Sequence, residues 1–323
     1  MIASLLFTIA LAQERVWIDT DPGRFTDDSV AVVMLVRSPE KVHIEGISTV
    51  SGNVWSKEGV DNIRATLTLL HKQIPIRLGA QTPLVHSPEM SKQEGPLEFA
   101  GAFSMPRPPY ERRIESAMEG LLPAIEKANG NLTIVAIGPL TNLAQILMRR
   151  PYLGTRIKQI VIMGGNINVP GNSTKAAEFN FWFDPEAAAI VLNSQIPKKV
   201  LFALDICNKA PVTKALFDRI VAANTPITEI YKESFGNDYP GFLKDPKAQG
   251  YLWDELAAAY LIDPGFVKRS ETKYLDVVTE FGPRYGLTVV VDRPRMRGAT
   301  PVEVMLDLDL DRVLGLYERL LKQ

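Results

Sequence analysis

Apolar runs rich in β-branched residues alternate with helix-period segments through most of this chain, and that alternation restricts its fold more than any other feature. The predicted strands are Val16 to Asp19, Val42 to Thr49, Ile76 to Gly79, Leu132 to Ile137, Ile157 to Met163 and Val200 to Leu204. Between them the spacing predicts helices at Asp28 to Arg37, Lys57 to His71, Glu115 to Asn129, Thr141 to Arg149 and Pro185 to Asn193. Strands joined through helices pair in parallel. The expected fold class is therefore α/β, a mainly parallel open sheet flanked by helices. Beyond Asp205 the chain reads as more helical to Leu261. An antiparallel pair, Tyr274 to Glu280 with Leu287 to Asp292, and a terminal helix from Asp311 follow.

The unusual residues fall after the strands. DTDPG follows the first, STVSGN the second, GAQTPL the third, IGPLTN the fourth and MGGNINVPGN the fifth. All of these loops belong to the carboxyl edge of the sheet, where ligands bind in open α/β folds. Ser87 to Pro109, rich in Pro, Gly and polar residues, reads as a long loop of the kind that often carries function. No repeat, low-complexity tract or linker divides the chain, so one catalytic domain over residues 13–323 is expected.

Composition removes several function classes. The formal net charge is -1 with no long Lys/Arg run, so there is no basic face for nucleic acid. The single cysteine, Cys207, rules out an internal disulfide and a thiolate-rich metal site. The three histidines, His43, His71 and His86, are too scattered for a histidine-based zinc site. Residues 1–12, MIASLLFTIALA, are too short to span a membrane as a helix and end in a small-x-small pattern. They read as a signal peptide cleaved before Gln13, and hence export, or as an apolar extension, since no Lys or Arg precedes the block. Without cleavage the protein would be cytoplasmic.

Asp19, Asp21, Asp27 and Asp28 place four carboxylates within ten residues, directly after the first strand. Packed together they require a cation, shared protons or solvent. Oxygen ligands without His or Cys select a hard ion, calcium or magnesium. Two other readings use the same residues: a helix cap plus a turn, or the DxD nucleophile of a phosphatase of the haloacid dehalogenase type. Pro22 and the closely following Asp27-Asp28 pair fit the phosphatase poorly. DLDLDRVLGLYE near the C-terminus imitates a calcium loop, but Arg312 stands where the sharp turn needs Gly. A strand feeding a helix is the better reading there.

DTDPG with DD, STVSGN, IGPLTN, VIMGG, GNST, AEFNFWFDPEAA and WDELAAAYLIDP occur in the order of the motifs of the inosine-uridine nucleoside hydrolases, which the chain resembles over nearly its whole length. The resemblance implies calcium-dependent hydrolysis of the N-glycosidic bond of ribonucleosides, in a homo-dimer or homo-tetramer. It implies metal ligands at Asp21, Asp28, the main-chain oxygen of Ile137 and Asp254. Asp21 would also accept the proton of the attacking water. Asp27, Asn53, Asn172, Glu178 and Asn180 would hold the ribose hydroxyls, and Trp182 is a further aromatic candidate for substrate contact. Carboxylate and amide groups together suit a sugar diol, which both donates and accepts.

Two departures qualify the resemblance. Arg24, Phe25 and Thr26 separate DPG from DD, where the family spacing is one residue, so the segment must bulge. Trp253 stands where many members carry a histidine that protonates the leaving base. An indole stacks or donates a hydrogen bond but is no general acid near neutral pH. The alternative to an enzyme is therefore a calcium-dependent ribose- or nucleoside-binding protein with little turnover. Tyr231, Phe235, Tyr239 and Phe242 form either a wall for the base or ordinary core packing.

Overall fold

A computed structural model describes residues 13–85, 115–238, 245, 247 and 249–323. The proposed signal segment, the loop from Ser87 to Pro109, His86, Tyr239 and Phe242 lie outside the described residues. A nine-stranded sheet runs β10-β9-β11-β6-β5-β4-β1-β2-β3. Its strands are β1 (Glu14–Thr20), β2 (Val42–Thr49), β3 (Ile76–Arg77), β4 (Thr133–Ala136), β5 (Gln159–Met163), β6 (Lys199–Phe202), β9 (Val267–Val277), β10 (Thr288–Val291) and β11 (Val302–Leu308). The seven strands from β11 to β3 pair in parallel; β1 to β6 are the six strands that the alternation predicts, and β11 adds a seventh. β9 pairs antiparallel with both β10 and β11.

The predicted hairpin is present, but β9 begins earlier, at Val267, and β11 fills the place between β9 and β6. The Asp307 to Leu308 stretch is indeed the end of a strand, and it leads into the helix Leu310–Lys322. A small antiparallel sheet of β7 (Pro211–Thr213) and β8 (Gln249–Tyr251) interrupts the region read as helical.

The period of two along each strand sends alternate residues to opposite faces. Val16, Ile18, Val135, Val161 and Met163 join one buried cluster, with helices Asp27–Val36, Asp254–Ile262 and Leu310–Lys322. Trp17, Ile134, Ile160 and Ile162 join the other, with helices Ala117–Ala128, Thr141–Arg149 and Pro185–Leu192. Helix Asp27–Val36 is buried along almost its whole length because it lies between the sheet and helix Asp254–Ile262, and its sequence is accordingly apolar all round. Among the described residues no helix is long and apolar enough to cross a membrane.

From β1 the chain builds outward through β2 to β3, then restarts on the other side with β4, β5 and β6. The reversal leaves a crevice at the carboxyl ends of β1 and β4, the ligand-binding position of such sheets. Asp21 and Ile137 are the residues delivered there: the Ile137 N–H bonds to the Asp19 carbonyl at 2.8 Å.

Candidate active site

Asp21 leaves β1 at the floor of this crevice, and Asp27 and Asp28 open the helix beside it. Helix Asp254–Ile262 packs on that helix and begins with Asp254 at the same point. Carboxylate oxygens of Asp27, Asp28 and Asp254 lie within 4.8 Å of one another. Asp28 is fixed on both oxygens. Oδ1 accepts from the Thr20 hydroxyl and, at 3.1 Å, from the Asp21 N–H. Oδ2 accepts from Thr26 Oγ1 and from Asn53 Nδ2, each at 3.2 Å. Asp21 Oδ2 accepts from the Asn53 N–H at 2.7 Å, whereas Asp21 Oδ1 is buried and has no hydrogen-bond partner among the described residues.

The protonation behaviour follows from this crowding. Burial, then the Asp28 charge, pushes the Asp21 carboxyl well above its usual range. Burial also raises Asp28, opposed by the Thr20 hydroxyl. Asp254 is pushed well up by burial and then by Asp27, Asp28 and Asp21. An acid cluster of this kind destabilises itself when ionised, and a cation among its oxygens removes the penalty. The donor set fits a hard divalent ion: carboxylate and carbonyl oxygens, no His or Cys, and one orphaned buried carboxylate oxygen.

Ile137 contributes a carbonyl at the same place. Its oxygen already accepts from Asn180 Nδ2 at 3.1 Å, which leaves one lone pair for a second partner. Asn180 also donates to the Met163 carbonyl at 3.3 Å, so its amide is oriented by the ends of β4 and β5. Glu178 caps the short helix Phe179–Phe183. Its Oε1 accepts from the Asn180 N–H at 2.8 Å, and its Oε2 from the N–H groups of Gly165 at 2.7 Å and Phe181 at 3.1 Å. This cap explains why AEFNFWF carries an acid directly before its aromatic run.

Above the floor lies a cavity of about 480 Å³. One part of its wall is polar, formed by Asp27, Asn53, Ile137, Asn172, Glu178, Asn180 and Asp254. Another is aromatic, formed by Phe25, Phe179, Tyr231, Phe235, Tyr251 and Trp253. The Asn172 side chain is exposed at the rim and accepts from the Phe179 N–H at 2.9 Å. Asp21 and Asp28 lie beneath the cavity surface. Trp182 is not part of the wall: its ring packs toward Phe179 at 6.3 Å, and its Cα would stand 2.7 Å from a Cβ on Gly286. His43 and His71 are exposed and do not line the cavity.

Trp253 borders the cavity, and its indole N–H is buried with no acceptor among the described residues. Its main-chain N–H donates to Glu255 Oε2 at 3.0 Å. Glu255, a wall residue absent from the sequence expectations, is buried and is pushed well above the usual glutamate range by burial and then by Asp27. The signal for it was the second acid of WDEL. The bulge of Arg24 to Thr26 is real. Phe25 adopts φ 57° and Thr26 returns to extended backbone as the helix N-cap, which lets Asp28 reach the Asp21 main chain.

The chain matches the inosine-uridine preferring nucleoside hydrolase family over residues 16–315. It is 34% identical to the pyrimidine-specific ribonucleoside hydrolase RihA of Salmonella schwarzengrund over 314 residues, covering 94% of this chain and 97% of that protein. Its fold is similar to that of an inosine-guanosine nucleoside hydrolase, with TM-score 0.83, 26% identity and coverage of 96% of this chain and 99% of the other. The purine-preferring ribonucleoside hydrolase from Gardnerella vaginalis is similar as well, with TM-score 0.79, 25% identity and coverage of 95% and 98%. With its acidic floor at the switch point of the sheet and a match along nearly its full length, the chain is a hydrolase of N-glycosyl compounds and belongs to the inosine-uridine preferring nucleoside hydrolase family.

Proposed function

We propose that the protein hydrolyses ribonucleosides to free base and ribose in this cavity, with calcium as its ion. The observation that carries the reading is Asp21 Oδ1, a buried carboxylate oxygen without a partner beside the triangle of Asp27, Asp28 and Asp254. Calcium bound there would offset part of the negative charge of the floor and acidify a neighbouring water.

The protein's own groups divide the remaining work. Asp21 takes the proton of the attacking water. Asp27, Asn53, Asn172, Glu178 and Asn180 hold the ribose hydroxyls, and Ile137 supplies a main-chain oxygen to the floor with Asp21, Asp28 and Asp254. Fixed hydroxyls place the anomeric carbon beside the water. The ionised floor stabilises positive charge on the sugar as the glycosidic bond breaks. Trp253 offers an aromatic face and an unused N–H to the leaving base.

The test is release of reducing sugar from uridine, cytidine, inosine, guanosine and adenosine in the presence of calcium. Release that Asp21→Ala abolishes supports the proposal. Nucleoside binding without ribose release overturns it.

Two further proposals concern the whole protein. Loss of residues 1–12 on export is motivated by the apolar block before Gln13, and the N-terminal mass of the natural protein tests it. A homo-dimer or homo-tetramer is expected from the family resemblance, and light scattering tests it.

A further inference from the structure

Among the described residues, four non-glycine positions have left-handed backbone: Phe25, His71, Asn129 and Asn224. The last three follow the carboxyl ends of helices, where this conformation is common. Phe25 does not. It precedes a helix, carries a bulky ring, and is only 2% exposed. A residue of this kind holds positive φ only where its surroundings impose it, and such positions concentrate at ligand sites.

The surroundings that impose it are identifiable. On one side the Pro22 carbonyl accepts from Asn62 Nδ2 at 3.0 Å. Next to Phe25, the Arg24 carbonyl accepts from Ser234 Oγ at 3.1 Å. Ser234 is buried in the helix Pro226–Asp238, which also places Tyr231 and Phe235 in the cavity wall. On the other side Thr26 Oγ1 donates to Asp28 Oδ2 at 3.2 Å. The segment is therefore anchored both to the acidic floor and to the aromatic wall, and Phe25 belongs to the same buried cluster as Tyr231 and Val30.

From this geometry we propose that Phe25 is a specificity-determining residue, a fixed apolar stop in the wall facing the leaving base that limits the size of the base the cavity accepts. The inference rests on the nucleoside hydrolase reading above. A flexible side chain on relaxed backbone could move aside for a larger base. A ring on backbone held at Pro22, Arg24 and Thr26, and itself packed in the buried cluster, has no free space to swing into. The wall thus favours one-ring over two-ring bases relative to the same cavity without the ring.

The experiment compares kcat/KM for uridine and inosine in the wild type, Phe25→Gly and Phe25→Tyr. Glycine accepts the left-handed backbone and removes the ring, and tyrosine keeps it. Phe25→Gly should raise the inosine-to-uridine ratio of kcat/KM at least tenfold, and Phe25→Tyr should leave the ratio within about twofold of the wild type. Ser234→Ala, which releases the Arg24 tether, should move the ratio in the same direction by a smaller factor. An equal loss on both substrates, or an unchanged ratio in Phe25→Gly, overturns the inference. If Phe25→Gly does not fold, Phe25→Asn carries the same comparison, since asparagine also tolerates left-handed backbone. A wild type that releases ribose from neither substrate overturns the functional reading instead.

Discussion

Gly138 leaves the space that Asp21 occupies: a Cβ on Gly138 would stand 2.6 Å from Asp21 Oδ1, the buried oxygen with no partner among the described residues. Gly52 makes the same allowance on the other side, where a Cβ would lie 2.0 Å from Asp21 Oδ2. The two glycines come from the loops after β4 and β2, the strands that flank β1. The reversal of strand order and the placement of the acid are thus one arrangement.

Gly138→Ala should therefore displace the Asp21 carboxylate, and with it the end of β1, since the same Cβ would stand 2.9 Å from the Asp21 main-chain nitrogen. The expected loss in calcium affinity is about 10- to 100-fold, the range found when groups that orient metal ligands are disturbed. Isothermal titration with calcium checks it, with circular dichroism to confirm the fold. Wild-type affinity in the variant would contradict the assignment of Asp21 to the ion.

The metal-free protein should be less stable at about pH 8 than at about pH 5. Asp21, Asp28 and Asp254 all have folded pKa values raised first by burial. A raised carboxyl pKa means that the folded state holds its protons more tightly. The associated stability is present below the unfolded pKa and is lost as pH rises through the folded values. Calcium reverses the trend, since it needs the ionised cluster. At a concentration about 100-fold above its dissociation constant it adds about 2.7 kcal/mol. Thermal melts with calcium and with chelator at the two pH values should show the larger calcium increment at the higher pH.

Asp184 gives a second, metal-independent pH effect. It caps the helix Pro185–Leu192 through the Ala187 N–H at 3.0 Å, and its carboxylate also accepts from Thr141 Oγ1 at 2.6 Å. Burial pushes its pKa up to about 6, with the Thr141 hydroxyl opposing the shift. Thr141→Val removes a donor that favours the ionised form. It should cost about 1–3 kcal/mol at about pH 8, where Asp184 is charged. The cost should be smaller at about pH 5, where Asp184 is protonated. Urea denaturation at both pH values measures the difference.

Glu255 should act as a positioning residue for Trp253. Glu255→Ala removes the acceptor of the Trp253 main-chain N–H, and Glu255→Gln keeps an oxygen there. The alanine variant should lose kcat/KM for nucleosides by about 10-fold or more, the scale of an indirect orienting contact. The glutamine variant should recover most of that loss. Equal defects in both variants would show that the acid itself, and not the contact with Trp253, is what matters.

Much of this architecture was legible in the chain because it rests on local chemistry. Alternating β-branched and helix-period segments specify strands joined through helices, and their order specifies a parallel sheet with its polar loops on one edge. Four aspartates within ten residues specify a demand for charge compensation wherever they pack. The helical character of the stretch up to Leu261 was also readable, as was the turn of DLDLDR from strand into helix. β11 was only partly visible, because its identity depends on a partner, β6, about a hundred residues away.

What tertiary structure alone decided is which of these residues meet. Asp254 reaches Asp27 and Asp28 only because two almost wholly apolar helices pack side by side and bring their acidic ends together. Trp182 and Trp253 look alike as aromatics near acidic motifs, yet the fold packs the ring of one toward Phe179 and sets the other in the cavity wall. Glu255 became a wall residue, and Phe25 a constrained ring beside Ser234, through contacts that span long stretches of sequence. Periodicity and composition fix the pattern of elements, because those are set by neighbouring residues. The meeting of distant side chains depends on how the elements pack.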